Sequence, residues 1–325
     1  MDNLELRTIK LDLINACNER CHFCPYYGEN GSVVNRSGQR VEAVSKLELA
    51  VLEQMFNDLA VAGMSPQIKI SGWGEGMLHP QFDGIVSAAN QYGFEVRVIT
   101  NGTKILAHQK SIEENVSVLV VSIHGDKSVH DAVVSRKGAY GAAIEGVERL
   151  QKKGKTLQKV ILAYVITPQN ISHMVNHVNL CYELGAEARF QHDFTPGLNY
   201  AASFDIGALR DAIGAVHSLN PAIKFIPNLP GNLLPQYYSS ERFVLNPYRC
   251  DRIAGEIEIR SNGEVYCCRS DVFGNINKSS IIDILPNSKR KGFLRVVQDE
   301  TQSTAGLDQK KCDRCCYQGE YVMIR

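Results

Sequence analysis

From Thr8 onward apolar and polar side chains alternate through TIKLDLI, the two-residue period of a strand with one buried face. The period returns at 67–71 (QIKIS), 94–100 (FEVRVIT), 116–122 (VSVLVVS), 159–166 (KVILAYVI) and 187–192 (EARFQH). Between these stretches apolar residues recur at helical spacing. Ser45-Lys-Leu-Glu48 reads as a capping box opening a helix that carries Leu49, Leu52, Met55, Phe56 and Leu59 on one face and stops at Gly63. Ile144, Val147 and Leu150 share a face of another helix over 141–153, ended by Gly154. Strands that alternate with helices imply a parallel sheet with right-handed crossovers. The economical closure is an α/β fold of the partial (βα)6 TIM-like barrel type, with an open doubly wound sheet as the alternative. In both, ligands meet the C-terminal ends of the strands.

Those ends share a polar signature: Asn15-Ala-Cys17, Ser71-Gly-Trp-Gly-Glu75, Thr100-Asn-Gly102, Ser122-Ile-His-Gly125 and Gln191-His192-Asp193. From about 194 the period breaks, and prolines at 196, 221, 227, 230, 235 and 247 mark a loop-rich connection. Further on, EIEIR-SNG-EVYC alternates on both sides of Asn262-Gly263, which predicts a β-hairpin with a type I′ turn. A helix-like segment follows over 279–299. The chain thus divides into a barrel at 1–200, a connection at 201–249 and a small hairpin-plus-helix domain at 250–325.

Charge removes some partners from consideration. Lys+Arg and Asp+Glu both number 35, so no basic excess points to nucleic acid or a membrane surface. The N-terminus lacks a signal-peptide layout and no 18-residue apolar run occurs, so a soluble, cytoplasmic protein is expected. In that setting the ten cysteines read as reduced ligands rather than disulfides. They form two groups: Cys17, Cys21 and Cys24, then Cys250, Cys267, Cys268, Cys312, Cys315 and Cys316, with Cys181 apart on an apolar helical face.

The first group has the spacing C-x3-C-x2-C on one strand-end loop. Three thiolates suit an iron–sulfur cluster with one iron left open to an exchangeable ligand, zinc being the competing occupant. In the second group Cys250, Cys268, Cys312 and Cys315 give four thiolates, enough for a closed all-cysteine site holding a cluster or zinc. Adjacent residues at a strand end face opposite ways, so Cys267 and Cys268 are not both ligands.

The triad, with the aromatic Phe23 before its last cysteine, resembles that of the radical S-adenosylmethionine enzymes. The resemblance implies a [4Fe–4S] cluster on Cys17, Cys21 and Cys24, whose open iron holds S-adenosylmethionine and cleaves it to a hydrogen-abstracting 5′-deoxyadenosyl radical. Gly72-Trp-Gly-Glu75 resembles the family's GGE segment and implies cofactor contacts from Gly74 and Glu75, although Gly76 stands where proline is usual. Asn101, Ser122 and Arg136 are further cofactor-contact candidates by the same resemblance, and His124, His130 and His192 are rim histidines. The second cysteine group resembles the twitch or SPASM appendage, implying an auxiliary [4Fe–4S] cluster on Cys250, Cys268, Cys312 and Cys315. Cys268 is selected there by the G-x4-C spacing from Gly263. Cys267 is then a small apolar filler or a hydrogen donor, and Cys316 caps the CxxC loop.

The expected activity is hydrogen abstraction followed by oxidation of the substrate through the auxiliary cluster, with flavodoxin or ferredoxin as electron donor. A redox-neutral epimerase using Cys267 and a non-catalytic iron–sulfur electron carrier are the alternatives. Since the barrel begins at residue 8 without a preceding peptide-recognition domain, a small polar metabolite such as a sugar or aminocyclitol is the expected substrate. A short ribosomal peptide is the other candidate.

Overall fold

The computed structural model describes residues 6–28, 31–34, 40, 42–151, 156–192, 203–226, 255–267, 272–288 and 290–292. The alternating stretches form β1 (Thr8–Leu11), β2 (Gln67–Ile70), β3 (Val96–Thr100), β4 (Val118–Ser122), β5 (Lys159–Ile166) and β6 (Glu187–His192), each paired in parallel with the next. Between them run α1 (Leu49–Val61), α2 (Phe82–Gln91), α3 (Gln109–Asn115), α4 (Lys127–Val133), α5 (Ala139–Gln151) and α6 (Met174–Leu184). Ile9, Leu11, Ile68, Ile70, Val96, Val98, Leu119 and Val121 face the helices and are fully buried, packed on Leu52, Phe56, Leu59, Phe82 and Ile85. Each such side chain contributes about 1.5–3 kcal/mol relative to exposure. The opposite face of the sheet carries Lys10, Lys69 and Arg97 near its foot and a small apolar cluster of Val120, Ile161 and Ala163 further along. This is a partial TIM-like barrel, open between its edge strands.

Three local readings change. Part of the segment read as a loop-rich connection forms α7 (Ile206–Leu219) and β7 (Lys224–Ile226), which pairs in parallel with β6. Leu209, Ile213 and Val216 of α7 bury against Met174, Val178, Phe190 and Phe225, and Asp205 caps its first turn by accepting from Ala208 N at 3.0 Å. Pro221 falls after the helix rather than inside it, so it ends the element instead of preventing it. Ser45 is no helix cap: α1 starts at Leu49 with Glu48 in the capping position. The intervening residues are spent on the sheet, Lys46 bridging Ile14 and Leu47 N donating to Leu13 O at 2.9 Å.

The hairpin consists of β8 (Glu256–Ile259) and β9 (Glu264–Tyr266), with β10 (Gly274–Asn275) antiparallel to β9 and a short α8 (Ile281–Ile284) after it. Its turn is not type I′, which would need positive φ at two successive residues. Here Gly263 N donates to Arg260 O at 2.7 Å, Arg260 N donates to Glu264 O at 2.9 Å, and only Gly263 has positive φ, at 85°. The three-residue loop is therefore a turn closed by a glycine bulge. β8 also pairs in parallel with β1, Thr8 to Glu256 through Leu11 to Ile259, so hairpin and barrel share one sheet of order β10-β9-β8-β1-β2-β3-β4-β5-β6-β7. Among the described residues no helix is long and apolar enough to cross a membrane.

A Cβ at Gly263 would meet Asn275 Oδ1 at 2.7 Å, and the Asn277 amide closer still, in a conformation that β-branched side chains avoid. Gly263→Val is expected to destabilise the protein by about 2 kcal/mol or more in chemical denaturation, since strain adds to the lost turn geometry.

Candidate active site

The cysteine loop leaves β1 and folds tightly on itself. Cys24 N donates to Cys21 O at 2.9 Å, Gly28 N to Cys24 O at 3.0 Å, and Tyr27 N points at Cys24 Sγ at 3.3 Å. A side chain at Gly28 would strike the carbonyls of Cys21 and Cys24, so glycine is required for so close a return. The loop is pinned from outside by Arg20 N to Val134 O and His22 N to Val133 O, both 3.0 Å, at the end of α4. His22 is thereby held by its backbone to another element, and the three half-buried thiols are left as the loop's soft donors.

Their electrostatics favour a cation. Burial pushes the Cys17 thiol up to about 12, with the Glu75 and Glu19 carboxylates adding to the shift. Cys21 is raised chiefly by burial and then by Glu19, Cys17 and Cys24, and Cys24 by burial. Thiols so placed become thiolates when iron supplies the charge. Among the described residues no three His, Cys, Asp or Glu side chains close around one ion. A [4Fe–4S] cluster takes one thiolate on each of three irons, and Cys17, Cys21 and Cys24 offer three soft donors on one tight loop. The donor set therefore fits a [4Fe–4S] cluster.

The second rim element is the turn after β2. Glu75 N donates to Ala16 O at 2.8 Å, and a Cβ at Gly74 would lie 2.5 Å from Ala16 O, so this turn is pressed against the cysteine loop. The Glu75 side chain is 4% exposed and fully engaged: Oε1 accepts from Met77 N at 3.0 Å and Thr100 Oγ1 at 2.8 Å, and Oε2 from Asn101 N at 2.7 Å. Burial raises its pKa and these donors oppose the rise. The carboxylate expected from the resemblance to reach the cofactor is thus spent on tying the ends of β2 and β3 together. The Gly72–Glu75 backbone remains beside the cluster loop.

Other predicted residues gather around the same loop. Asn101 donates from Nδ2 to Asn18 Oδ1 at 2.7 Å, and Arg136 Nη1 donates to Asn18 O at 2.8 Å. Phe23 meets the His124 ring edge-on at 5.0 Å, and Ser122 ends β4 two residues before that histidine. His124 accepts from Val165 N at Nδ1, and burial drives its pKa well down, so it is a neutral imidazole protonated on Nε2. His130 is buried behind it, accepting from His124 N, with its pKa lowered to about 4 by burial. The backbone of His192 ends β6; its side chain lies outside the described residues, as do Cys250, Cys268, Cys312, Cys315 and Cys316.

Cys267 is not brought to the rim. It is fully buried in the main hydrophobic core beside Ile257 and Val265, on the sheet face opposite Tyr266, and its Sγ lies 3.6 Å from Glu256 O. A thiol there packs as a small apolar side chain and is remote from a hydrogen-donor position in the barrel mouth. Cys181 is core, 3.7 Å from His177 Nε2.

Sequence reasoning missed a second layer. Asp12, just past β1, is 2% exposed; its Oδ1 accepts from Trp73 N at 3.1 Å and Gly74 N at 3.4 Å, while Oδ2 has no partner. Burial raises its pKa to about 7, partly offset by those amides and Lys10. Trp73 stacks on Tyr26 at 4.3 Å, and on its other face lies the Arg260 guanidinium at 4.1 Å, itself 4.2 Å from the Tyr266 ring. The alternation Thr8, Lys10, Asp12 was the available signal for Asp12; nothing local announces the stack.

Glu75→Ala would leave three donors without their acceptor and is expected to cost about 3 kcal/mol or more in denaturant titrations. For Asp12 the folded pKa of about 7 exceeds its ordinary value of 3.8, so its contribution to stability is lost as pH rises from about 4 to about 7. Asp12→Asn should accordingly gain melting temperature relative to the unsubstituted chain at pH 8 and gain less, or lose, at pH 5.

Residues 11–181 match the model of the Radical SAM superfamily, and 250–316 that of an iron–sulfur cluster-binding domain, SPASM. A probable GTP 3′,8-cyclase of Methanocella arvoryzae is 26% identical over 179 residues, 53% of either chain. The sporulation killing factor maturation protein SkfB of Bacillus subtilis is 29% identical over 183 residues, 54% of this chain and 40% of that one. The chain spans about half the length or less of most curated relatives it matches. Among solved structures, native anSMEcpe with bound AdoMet aligns at TM-score 0.65 and 17% identity, over 95% of this chain and 89% of that one. Streptococcus suis SuiB bound to precursor peptide SuiA aligns at 0.64 and 13%, over 96% and 70%. These likenesses are of fold. With the family model covering 11–181, more than half of its length, and the three-thiol loop at the mouth of a partial barrel, the chain belongs to the radical S-adenosylmethionine superfamily, with S-adenosylmethionine and [4Fe–4S] clusters as its cofactors.

Proposed function

We propose that the protein is a radical oxidoreductase that removes a hydrogen atom from an unactivated substrate carbon and passes the resulting radical's electron to an auxiliary cluster. The observation that carries this reading is the trio of half-buried thiols on a tight loop pressed against the Gly72–Glu75 turn. Cys17, Cys21 and Cys24 would hold the catalytic cluster, and Cys250, Cys268, Cys312 and Cys315 the auxiliary one. When bound and reductively cleaved, S-adenosylmethionine supplies a 5′-deoxyadenosyl radical.

The chain's own residues do the positioning. The backbone of Gly74 and Glu75 offers close approach to the cofactor's amino group, its geometry fixed by the three donors on the Glu75 carboxylate. Phe23 and Ser122 line the same rim, while Asn101 and Arg136 act through Asn18 to hold the cluster loop in place. A flavodoxin- or ferredoxin-type protein would supply the electron.

The substrate we favour is a short peptide, supported by SkfB, a maturation protein for a killing factor. A small polar metabolite is the second reading, and the probable GTP 3′,8-cyclases among the relatives favour it.

Anaerobically reconstituted, reduced protein should convert S-adenosylmethionine to 5′-deoxyadenosine, and Cys21→Ala should bring this to background. Absence of the nucleoside from protein with both clusters loaded would instead indicate an electron carrier. With substrate, oxidation predicts a product lighter by two hydrogens; a product of unchanged composition that takes up one deuteron in deuterated water would mean epimerisation.

A further inference from the structure

Arg260 follows β8, where side chains alternate: Ile257 and Ile259 face the helix-packed core, Glu258 and Arg260 the other side with Lys10 of β1. Its guanidinium is flanked by two aromatic faces, Trp73 at 4.1 Å and Tyr266 at 4.2 Å, and Trp73 is backed in turn by Tyr26 of the cysteine loop. Cation–π contact with both rings fixes the plane of the group.

Around the guanidinium the described residues supply almost no acceptor. Glu258 Oε1 is 3.9 Å from Nε, too far for a hydrogen bond, and Glu258 Oε2 is taken by Lys10 at 2.9 Å. No guanidinium nitrogen of Arg260 has a hydrogen-bonded acceptor among the described residues, and the side chain is 27% exposed although Nε itself is buried. Lys10 and Arg260 share the single Glu258 carboxylate, and the nearby Glu264 carboxylate, which also feels the Arg260 charge, is occupied by Tyr266 Oη at 2.6 Å. Asp12 and Ser71, one residue past the ends of β1 and β2, each keep an unpaired oxygen on the neighbouring strands. An immobilised, weakly hydrated guanidinium without an acceptor is preorganised for a planar oxyanion, because its rotamer entropy is already lost before the ligand arrives.

We propose that Arg260 anchors the substrate by taking a carboxylate group at its terminal nitrogens. The stack runs from Tyr26, two residues after Cys24, to Tyr266, two before Cys268. A molecule held there lies between the cysteine loop and the β8–β9 hairpin. Only the identification of the ligand as substrate rests on the radical reading; the carboxylate site itself does not.

The test is calorimetric titration of the cluster-loaded full chain, with and without S-adenosylmethionine, using N-acetylglycine and its neutral counterpart N-acetylglycinamide as probes. The carboxylate should bind about tenfold or more tighter than the amide. Arg260→Gln should erase that preference, Arg260→Lys should keep part of it, and affinity for S-adenosylmethionine should stay within about twofold. Equal affinity for the two probes, or a preference that survives in Arg260→Gln, would overturn the proposal. So would a parallel loss of S-adenosylmethionine affinity, which would assign the arginine to the cofactor. Should Arg260→Gln fail to fold, Tyr266→Leu removes one clamping ring and should weaken carboxylate binding severalfold; undiminished binding would again overturn it. Because the titration needs no turnover, it fails independently of the nucleoside assay that tests the radical chemistry.

Discussion

The strand-end surface depends on one buried carboxylate. Glu75 gathers the Met77 and Asn101 amides and the Thr100 hydroxyl, while its own amide reaches back to Ala16. Three chain segments, leaving β1, β2 and β3, thereby meet at a single residue. Buried polar groups are costly unless paired, and here the pairing defines the relative height of the three loops. The cysteine loop, pinned by the same amide and by α4, inherits that rigidity. A cluster site needs it, since an iron corner left open for a cofactor is useful only if the other three do not wander.

Electrostatics at the rim run against ionisation throughout. Cys17, Cys21, Glu19, Glu75 and Asp12 are all pushed toward their protonated forms by burial. His124, His130 and His177 are pushed toward neutrality by the same cause. Among the described residues the rim is thus a basin of acids and imidazoles held toward neutrality, with cations such as Arg136, Arg40 and Arg260 at its sides. Charge brought by cofactors is felt strongly in such surroundings, because few protein ions screen it.

Much of this was legible in the sequence, and the reasons are physical. The strands announced themselves because one face of each packs on helices, which enforces the period of two. Gly74 was read as a cofactor contact, and the structure shows what the glycines at 72 and 74 approach within the chain itself: the Asp12 side chain and the carbonyls of residues 14 and 16. What failed was local inference with two solutions. Asn262-Gly263 suits either a two-residue or a three-residue hairpin, and the pairing of Arg260 with Glu264 decides. Ser45 could cap a helix or feed a bridge, and Ile14 decides. The Tyr26–Trp73–Arg260–Tyr266 stack was invisible because it exists only after β8 docks on β1, a contact whose Lys10–Glu258 pair spans 248 positions.

That docking has a consequence for how the molecule is assembled. β1 is a central strand only once β8 lies against it; until then its outer N–H and C=O row is an open template for any passing chain. Partners so distant along the polypeptide close slowly, so the nascent barrel must wait with a sticky flank while the remainder is synthesised. The C-terminal hairpin is therefore more than a mount for a second cluster: it is the piece that seals the first strand against association with its neighbours.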